Sequence, residues 1–250
     1  MIGIVGGLGP YSGIDLLKKV FDNTQARSDQ EHLDAILLSM PSKIEDRTQY
    51  LIGKVKVNPA VTIVEVLLKL EKIGATIAGI PCNTAHSEKI FKVIRLELEK
   101  AKSTIEVLNM IDETVLFIVS NYPNVTKVGV LSTTGTYKSK IYASPLKSKG
   151  YEVIVPPLEM QENIIHPAIY HKTYGIKALS NPIHPQAREN LLQGISFLKE
   201  QGAQVVILGC TEIPLAITES KINDVITIDP ANVLARALIH KSNHHKLKPL

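Results

Sequence analysis

The chain has 250 residues, enough for one large α/β domain or two small ones. At 44% hydrophobic and 21% charged it has the composition of a soluble globular protein. Much of its net charge of +4 lies in the closing run from Lys241 to Lys248, which reads as a frayed basic tail; no basic stripe with interleaved aromatics points to nucleic acid. No apolar run approaches the ~20 residues that span a bilayer. The opening Ile2 to Val5 lacks the basic and long apolar regions of a signal peptide, so the cytoplasm is the expected compartment. In that setting the two cysteines, Cys82 and Cys210, are poor disulfide partners.

The first predicted strand, Ile2 to Val5, runs into a turn with glycines at 6, 7, 9 and 13. A strand, a glycine-rich turn and a helix can bind a dinucleotide. The next strand, Ala35 to Leu38, continues into Ser39 and Met40, however, and has no acid to hold a ribose. Close approach of the backbone to a small anionic substrate explains the glycines as well and makes Gly7 an auxiliary candidate. His32 reads as structural. Arg47 follows Glu45 and Asp46 and is either a surface ion pair, worth little, or a planar fork for a carboxylate. A strand from Thr76 to Ile80 leads to Cys82, and the pattern Phe91, Ile94, Leu98 marks the helix after it. Val107 to Asp112 precedes another helix-like run, and a link between Asp112 and Asn124 leads to a new opening near Lys127. Later come a strand from Val205 to Leu208, then Cys210, and finally Val225 to Asp229 before a last helix.

This alternation argues for α/β layers with mostly parallel sheets. It is also a repeat. Leu70 to Cys82 and Leu198 to Cys210 share a helix end, a Gly-Ala stop, a buried strand and a cysteine, with glycine eight positions before cysteine in both. The glycine-rich opening at Gly3 has its counterpart at Gly129 to Thr136, and the strand near Val107 has its counterpart near Val225. Two similar α/β domains related by a pseudo-two-fold are expected, with the active site in the cleft between them. The first covers 1–112 and is completed by the strand and helix of 225–240. The second covers 113–224, and 241–250 is a flexible tail.

In parallel sheets ligands sit beyond the carboxyl ends of strands. Both cysteines fall there, each near a predicted helix N-terminus, which favours thiolate over thiol. A lone cysteine at such a place is usually a small buried residue. Two at matching positions of a repeat, with no others in the chain, point to chemistry. A zinc site needs more ligands in close pairs, so no metal is expected. Racemisation suits the pair: one residue removes the α-proton from one face of a carbon and the other delivers a proton to the opposite face. Asn83, Thr84 and Thr211 directly follow the cysteines and can donate to a carboxylate that gains charge. Glu212 can orient Cys210 or accept its proton, or can simply sit in a first helical turn. His86, four residues after Cys82, shares its face if the helix has begun, or else packs or caps.

Pro81 to His86 and Gly209 to Pro214 resemble the two signature motifs of the aspartate/glutamate racemase family. Gly6 to Pro10, Gln30 to His32, Asp46 to Thr48 and Tyr174 to Lys177 are similar to that family's segments in the same order, so the likeness extends to about His240. Leu8 stands where methionine is frequent. The resemblance implies racemisation without pyridoxal phosphate or any other cofactor, with Cys82 and Cys210 as the acid/base pair. It implies that Asn83, Thr84 and Thr211 bind the amino-acid end of the substrate, and that Arg47 and Lys177 bind its side-chain carboxylate. A homodimer is implied too. The expected substrate is an acidic amino acid, aspartate before glutamate. The alternatives are a thiol-dependent isomerase or racemase of another small carboxylate, and a binder of acidic amino acids without turnover.

Overall fold

The short apolar runs form parallel strands and the longer periodic ones form helices, across all 250 residues that the computed structural model describes. The first part contains β1 (Ile2–Gly6), α1 (Pro10–Asp22), β2 (Ala35–Ser39), α2 (Arg47–Leu51), α3 (Ala60–Lys72), β3 (Ile77–Gly79), α4 (Glu88–Lys100) and β4 (Glu106–Val107). Its sheet is parallel throughout, in the order β2-β1-β3-β4. Helix α5 (Met110–Asn121) occupies the predicted link. Then come β5 (Lys127–Ser132), α6 (Thr134–Ser139), α7 (Ala143–Ser148), β6 (Glu152–Ile154), α8 (Leu158–Met160), α9 (His166–Tyr170), α10 (Pro185–Glu200) and β7 (Val205–Gly209). The chain ends with α11 (Ile213–Ala216), β8 (Lys221–Ile222), β9 (Val225–Ile228) and α12 (Pro230–Asn243). The second sheet has the order β6-β5-β7-β9-β8, with β8 alone antiparallel. Without β8 the two sheets have the same strand order, as the sequence repeat demands.

Strands β1, β3 and β7 are buried at every position. That is the signature of a parallel sheet with helices on both faces. In the first sheet, alternation along β1 sends Ile2 and Ile4 toward α1 and α12, and Val5 toward α3 and α4. In the second, Leu131, Val206 and Leu208 pack with α9 and α10.

The repeat has a packing cause. A Cβ on Gly3 would lie 3.0 Å from the Cβ of Ala75 and 3.3 Å from Leu70. A Cβ on Gly129 would lie 3.2 Å from the Cβ of Ala203 and 3.2 Å from Leu198. Glycine in each opening strand therefore lets the Gly-Ala stop of a later helix settle closely on the sheet. The stop glycines, Gly74 and Gly202, have φ of 101° and 91°. These left-handed values end a helix and start the next strand, and glycine adopts them without penalty.

Contacts divide the chain into residues 1–113 with 231–250, and residues 114–230. Two expectations need correction. The strand near Val225 does not complete the first sheet: β9 pairs with β7, Val206 opposite Thr227, because it is the repeat counterpart of β4. Only the helix that follows, α12, joins the first unit, where Leu234, Ala235, Leu238 and Ile239 are buried against β1 and α1. Nor is the basic tail loose. Residues 244–246 form one more turn, Gln25 N–H donates to the Lys246 carbonyl (2.6 Å), and Lys248 N–H donates to the Asn23 carbonyl (2.9 Å). The Lys248 ammonium bonds the Asp22 carbonyl at the end of α1 (2.6 Å), where a cation is favoured. No helix is long and apolar enough to cross a membrane.

Leu238 should be essential to the first unit, because α12 seals one face of its sheet. Leu238→Ala is expected to cost about 2–5 kcal/mol in chemical denaturation; a loss below ~1 kcal/mol would mean that α12 does not belong to that core.

Candidate active site

Each cysteine lies where a central strand ends. Cys82 comes three residues after β3, in the apolar cluster of the first unit. Cys210 comes directly after β7 in that of the second. Both are buried and neither is in a disulfide. The expected helix N-termini differ from the prediction. Cys82 opens a single 3₁₀ turn, Asn83 to His86, and α4 begins only at Glu88 after an extended Ser87. Cys210 is separated from α11 by Thr211 and Glu212, and α11 has only four residues. A dipole of that length adds little charge stabilisation at Cys210, where the neighbouring side chains take over.

Around Cys82, Asn83 and Thr84 are buried within the 3₁₀ turn. His86 is held below them. Its Nδ1 lies 2.9 Å from the Cys82 carbonyl and must donate to it, since a carbonyl only accepts. The ring packs 5.0 Å from that of Phe91. Burial pulls His86 down to about 4, so it is neutral near pH 7. It is a packed histidine that ties down the backbone of Cys82.

Arg47 is only 6% exposed, which overturns the reading of a surface ion pair. Asp46 caps α2 by accepting from Gln49 N–H (2.8 Å), and Arg47 opens the helix. The guanidinium donates to the Leu8 carbonyl through Nη2 and to the Glu45 carbonyl through Nη1. Arg47 therefore grips the glycine-rich turn. Gly7 in that turn has φ of +90°, and a Cβ there would lie 2.7 Å from the Met40 backbone. The close approach that requires glycine is thus to the chain's own loop after β2, where substrate was expected. His32 packs edge-on to Phe21 at 5.4 Å, a structural contact.

Around Cys210 the groups are charged. The thiol donates to Glu212 Oε2 at 2.9 Å. Glu212 is 3% exposed, and its Oε1 is ion-paired with the ammonium of Lys177, which is 21% exposed. Lys177 also lies 5.5 Å from the centre of the Tyr170 ring. It was expected to face a substrate carboxylate, and here it holds a protein carboxylate. Thr211 is buried beside them, with Oγ1 3.5 Å from Glu212 Oε2. Burial first, and the Glu212 carboxylate next, push the Cys210 thiol well above its ordinary range, while Lys177 acts in the other direction. Cys210 rests as a thiol, which reverses the thiolate expectation for this residue.

Sequence reasoning missed several groups at the end of β5. Thr133 caps α6 by accepting from Thr136 N–H (3.3 Å), and Thr134 N–H approaches His166 Nδ1 (3.5 Å). His166 stacks on Tyr170 at 4.6 Å. Gln161, fully buried, donates to the Ser132 carbonyl (2.9 Å) from a π-helical turn between α8 and α9. Such turns are frequent at functional sites. The repeat offered a signal: this turn is the second copy of the glycine-rich turn, with Ser132 and Thr133 in place of Gly6 and Gly7.

The family described as Asp/Glu/Hydantoin racemase matches residues 5–238. The broad specificity amino-acid racemase RacX of Bacillus subtilis (strain 168) is 30% identical over 247 residues, 96% of each chain. The Picrophilus torridus aspartate racemase is 29% identical with a TM-score of 0.80, and the match covers 99% of this chain and 95% of that one. A glutamate racemase from Francisella tularensis shares the fold at 20% identity and a TM-score of 0.63, over 100% of this chain and 84% of that one.

The His86 contact yields a test. A histidine that is neutral when folded takes up protons on unfolding. Its stabilising contribution is therefore complete above its unfolded pKa of about 6.5 and is lost as pH falls toward its folded value of about 4. Urea unfolding at pH 7 and pH 5 should show His86 contributing about 2 kcal/mol to the acid-induced loss. His86→Gln, which keeps a donor for Cys82, should lose that much less between the two pH values. An identical loss would show that folding does not lower the pKa of His86.

Proposed function

The chain belongs to the Asp/Glu/hydantoin racemase family, and from that premise we propose that it racemises an acidic amino acid, aspartate before glutamate, using Cys82 and Cys210 as a two-thiol acid/base pair. It is an amino-acid racemase by family, and the placement of the cysteines carries the reading of its chemistry. They are the only two in the chain. They end the equivalent strands β3 and β7 of two sheets with the same strand order. Nothing about packing alone requires the same reactive residue twice.

Inverting a stereocentre needs a base on one face of Cα and an acid on the other. A thiolate and a thiol supply both, and they exchange roles when the direction reverses. One thiolate breaks the Cα–H bond and becomes a thiol. The other thiol gives its proton to the opposite face and becomes a thiolate. The carbanion formed between these steps spreads its charge into the α-carboxylate. Donors that tighten as this charge grows lower the barrier most. Asn83, Thr84 and Thr211 are the residues we assign to that end of the substrate. The chemistry needs no cofactor to draw off electrons if these donors suffice.

Arg47 and Lys177 support an acidic substrate, as does the similarity to the Picrophilus torridus aspartate racemase. A broader range has its own support. The relative from Bacillus subtilis is named for broad specificity, and both cations already bond within the protein: Arg47 with backbone carbonyls, Lys177 with Glu212.

Proton NMR in deuterated water without added cofactor decides between these readings. The Cα–H signal of L-aspartate should fade while D-aspartate appears, and L-glutamate should respond more slowly. Cys82→Ala and Cys210→Ala should each lower racemisation by a factor on the order of 10²–10⁴. Exchange in neutral amino acids at rates equal to aspartate would establish the broad range, and no exchange in any amino acid would sink the racemase reading.

A further inference from the structure

The repeat that pairs the two cysteines breaks down two positions further on. Cys82 is followed by Asn83 and Thr84, and Cys210 by Thr211 and Glu212. The first copy has a neutral hydroxyl where the second has a carboxylate. The break falls on a residue in direct contact with sulfur, since Cys210 Sγ lies 2.9 Å from Glu212 Oε2. Building on the two-thiol reading above, we propose that Glu212, held by Lys177, is the positioning residue and proton partner of Cys210, so that the two thiols are not equivalent and Cys210 starts as the acid.

A carboxylate buried to this degree is expensive unless it is paired. Lys177 supplies the pairing on Oε1, which leaves Oε2 to accept from the thiol. The arrangement aims the S–H bond along a fixed direction. It also leaves the second oxygen of Glu212 available as an acceptor. When Cys210 acts as acid, its S–H bond breaks and the new bond forms at Cα. When it acts as base, the same steps run backwards: the Cys210 thiolate breaks the Cα–H bond and becomes a thiol, and the Cys82 thiol gives its proton to the other face and becomes a thiolate. The free enzyme reaches that second state when the Cys210 proton leaves through Glu212 Oε2 to solvent and Cys82 takes one up.

This asymmetry has a definite kinetic form. Mirror-image amino acids have equal free energies, so kcat/KM is the same in both directions whatever the enzyme does. A bias in the resting protonation state therefore appears as unequal kcat and unequal KM that change by the same factor. The enantiomer that needs Cys210 as acid meets the populated form of the enzyme and shows the lower KM. Its mirror image must draw on the minor form, and its apparent affinity falls by the population of that form.

The test separates the thiol from the turnover. Alkylation by iodoacetamide is followed at each cysteine by peptide mass spectrometry across pH, in the wild type and in Glu212→Gln. The neutral amide removes the carboxylate charge and leaves Lys177 facing the sulfur. The Cys210 profile should then shift to lower pH by about one unit or more, a tenfold change in thiolate population, while the Cys82 profile stays in place. Lys177→Met should shift the Cys210 profile in the opposite direction, and it serves where Glu212→Gln folds poorly. In racemisation assays the KM ratio of the two enantiomers should shrink toward one in Glu212→Gln, with Glu212→Asp intermediate. A Cys210 profile unmoved by either substitution would overturn the proposal by reducing Glu212 to a packing role. A shifted profile with an unchanged KM ratio would overturn its part in turnover. The alkylation measurement needs no substrate. A protein with the shift but without Cα exchange would overturn the racemase reading and leave the Cys210–Glu212 contact standing.

Discussion

The contact between an opening strand and the helix end above it, made twice, places everything else. Gly3 lets Ala75 and Leu70 approach more tightly than side chains ordinarily allow, and Gly129 does the same for Ala203 and Leu198. Each contact seats the last turn of a helix on the sheet. The left-handed glycine that follows then launches the central strand from a set height. Strands β3 and β7 are short, three and five residues, so the point of launch decides where the chain emerges. It emerges at Cys82 and Cys210. A shift of one residue in either strand would turn its buried side chains to the opposite face and move the sulfur with them. The position of both cysteines thus depends on an apolar contact.

The two halves built on this plan are electrostatically different. The turn after Cys82 holds neutral groups: two small polar residues and a histidine that burial keeps uncharged. Cys210 is surrounded by a buried ion pair and bonded to its acidic member. An ion pair taken out of water contributes little net stability, because desolvation offsets its attraction. Its value here lies in setting the protonation state of a neighbour. The fold supplies symmetry of position, and the two residues after each cysteine remove the symmetry of charge.

Much of this could be read along the chain. Parallel α/β layers followed from short apolar runs between helical patterns. The repeat followed from two glycine-alanine stops eight residues or fewer from cysteine. The placement of both cysteines at strand ends followed from the repeat. Errors arose where a partner distant in sequence decides the outcome. Arg47, beside Glu45 and Asp46, reads as either a surface ion pair or a carboxylate fork, and its burial by the turn that contains Leu8 removes the first of these. Gly7 reads as a glycine kept for a ligand, while the loop at Met40 by itself already requires glycine there. The tail reads as loose because it is basic and short, but the end of α1 offers it free carbonyls.

The sequence by itself determined the periodicities, the stops and the doubling, because these are local: apolar spacing, a glycine that accepts a left-handed φ, a cysteine at a fixed offset. Only the tertiary structure decided which strand joins which sheet, why β9 stays with β7 while α12 leaves for the first unit, and what touches the Cys210 sulfur. Pairing Lys177 with Glu212 joins residues 35 positions apart, and no local pattern distinguishes that lysine from one in solvent. Its partner is set by how α9 and the end of β7 are packed, and through it the protonation of Cys210.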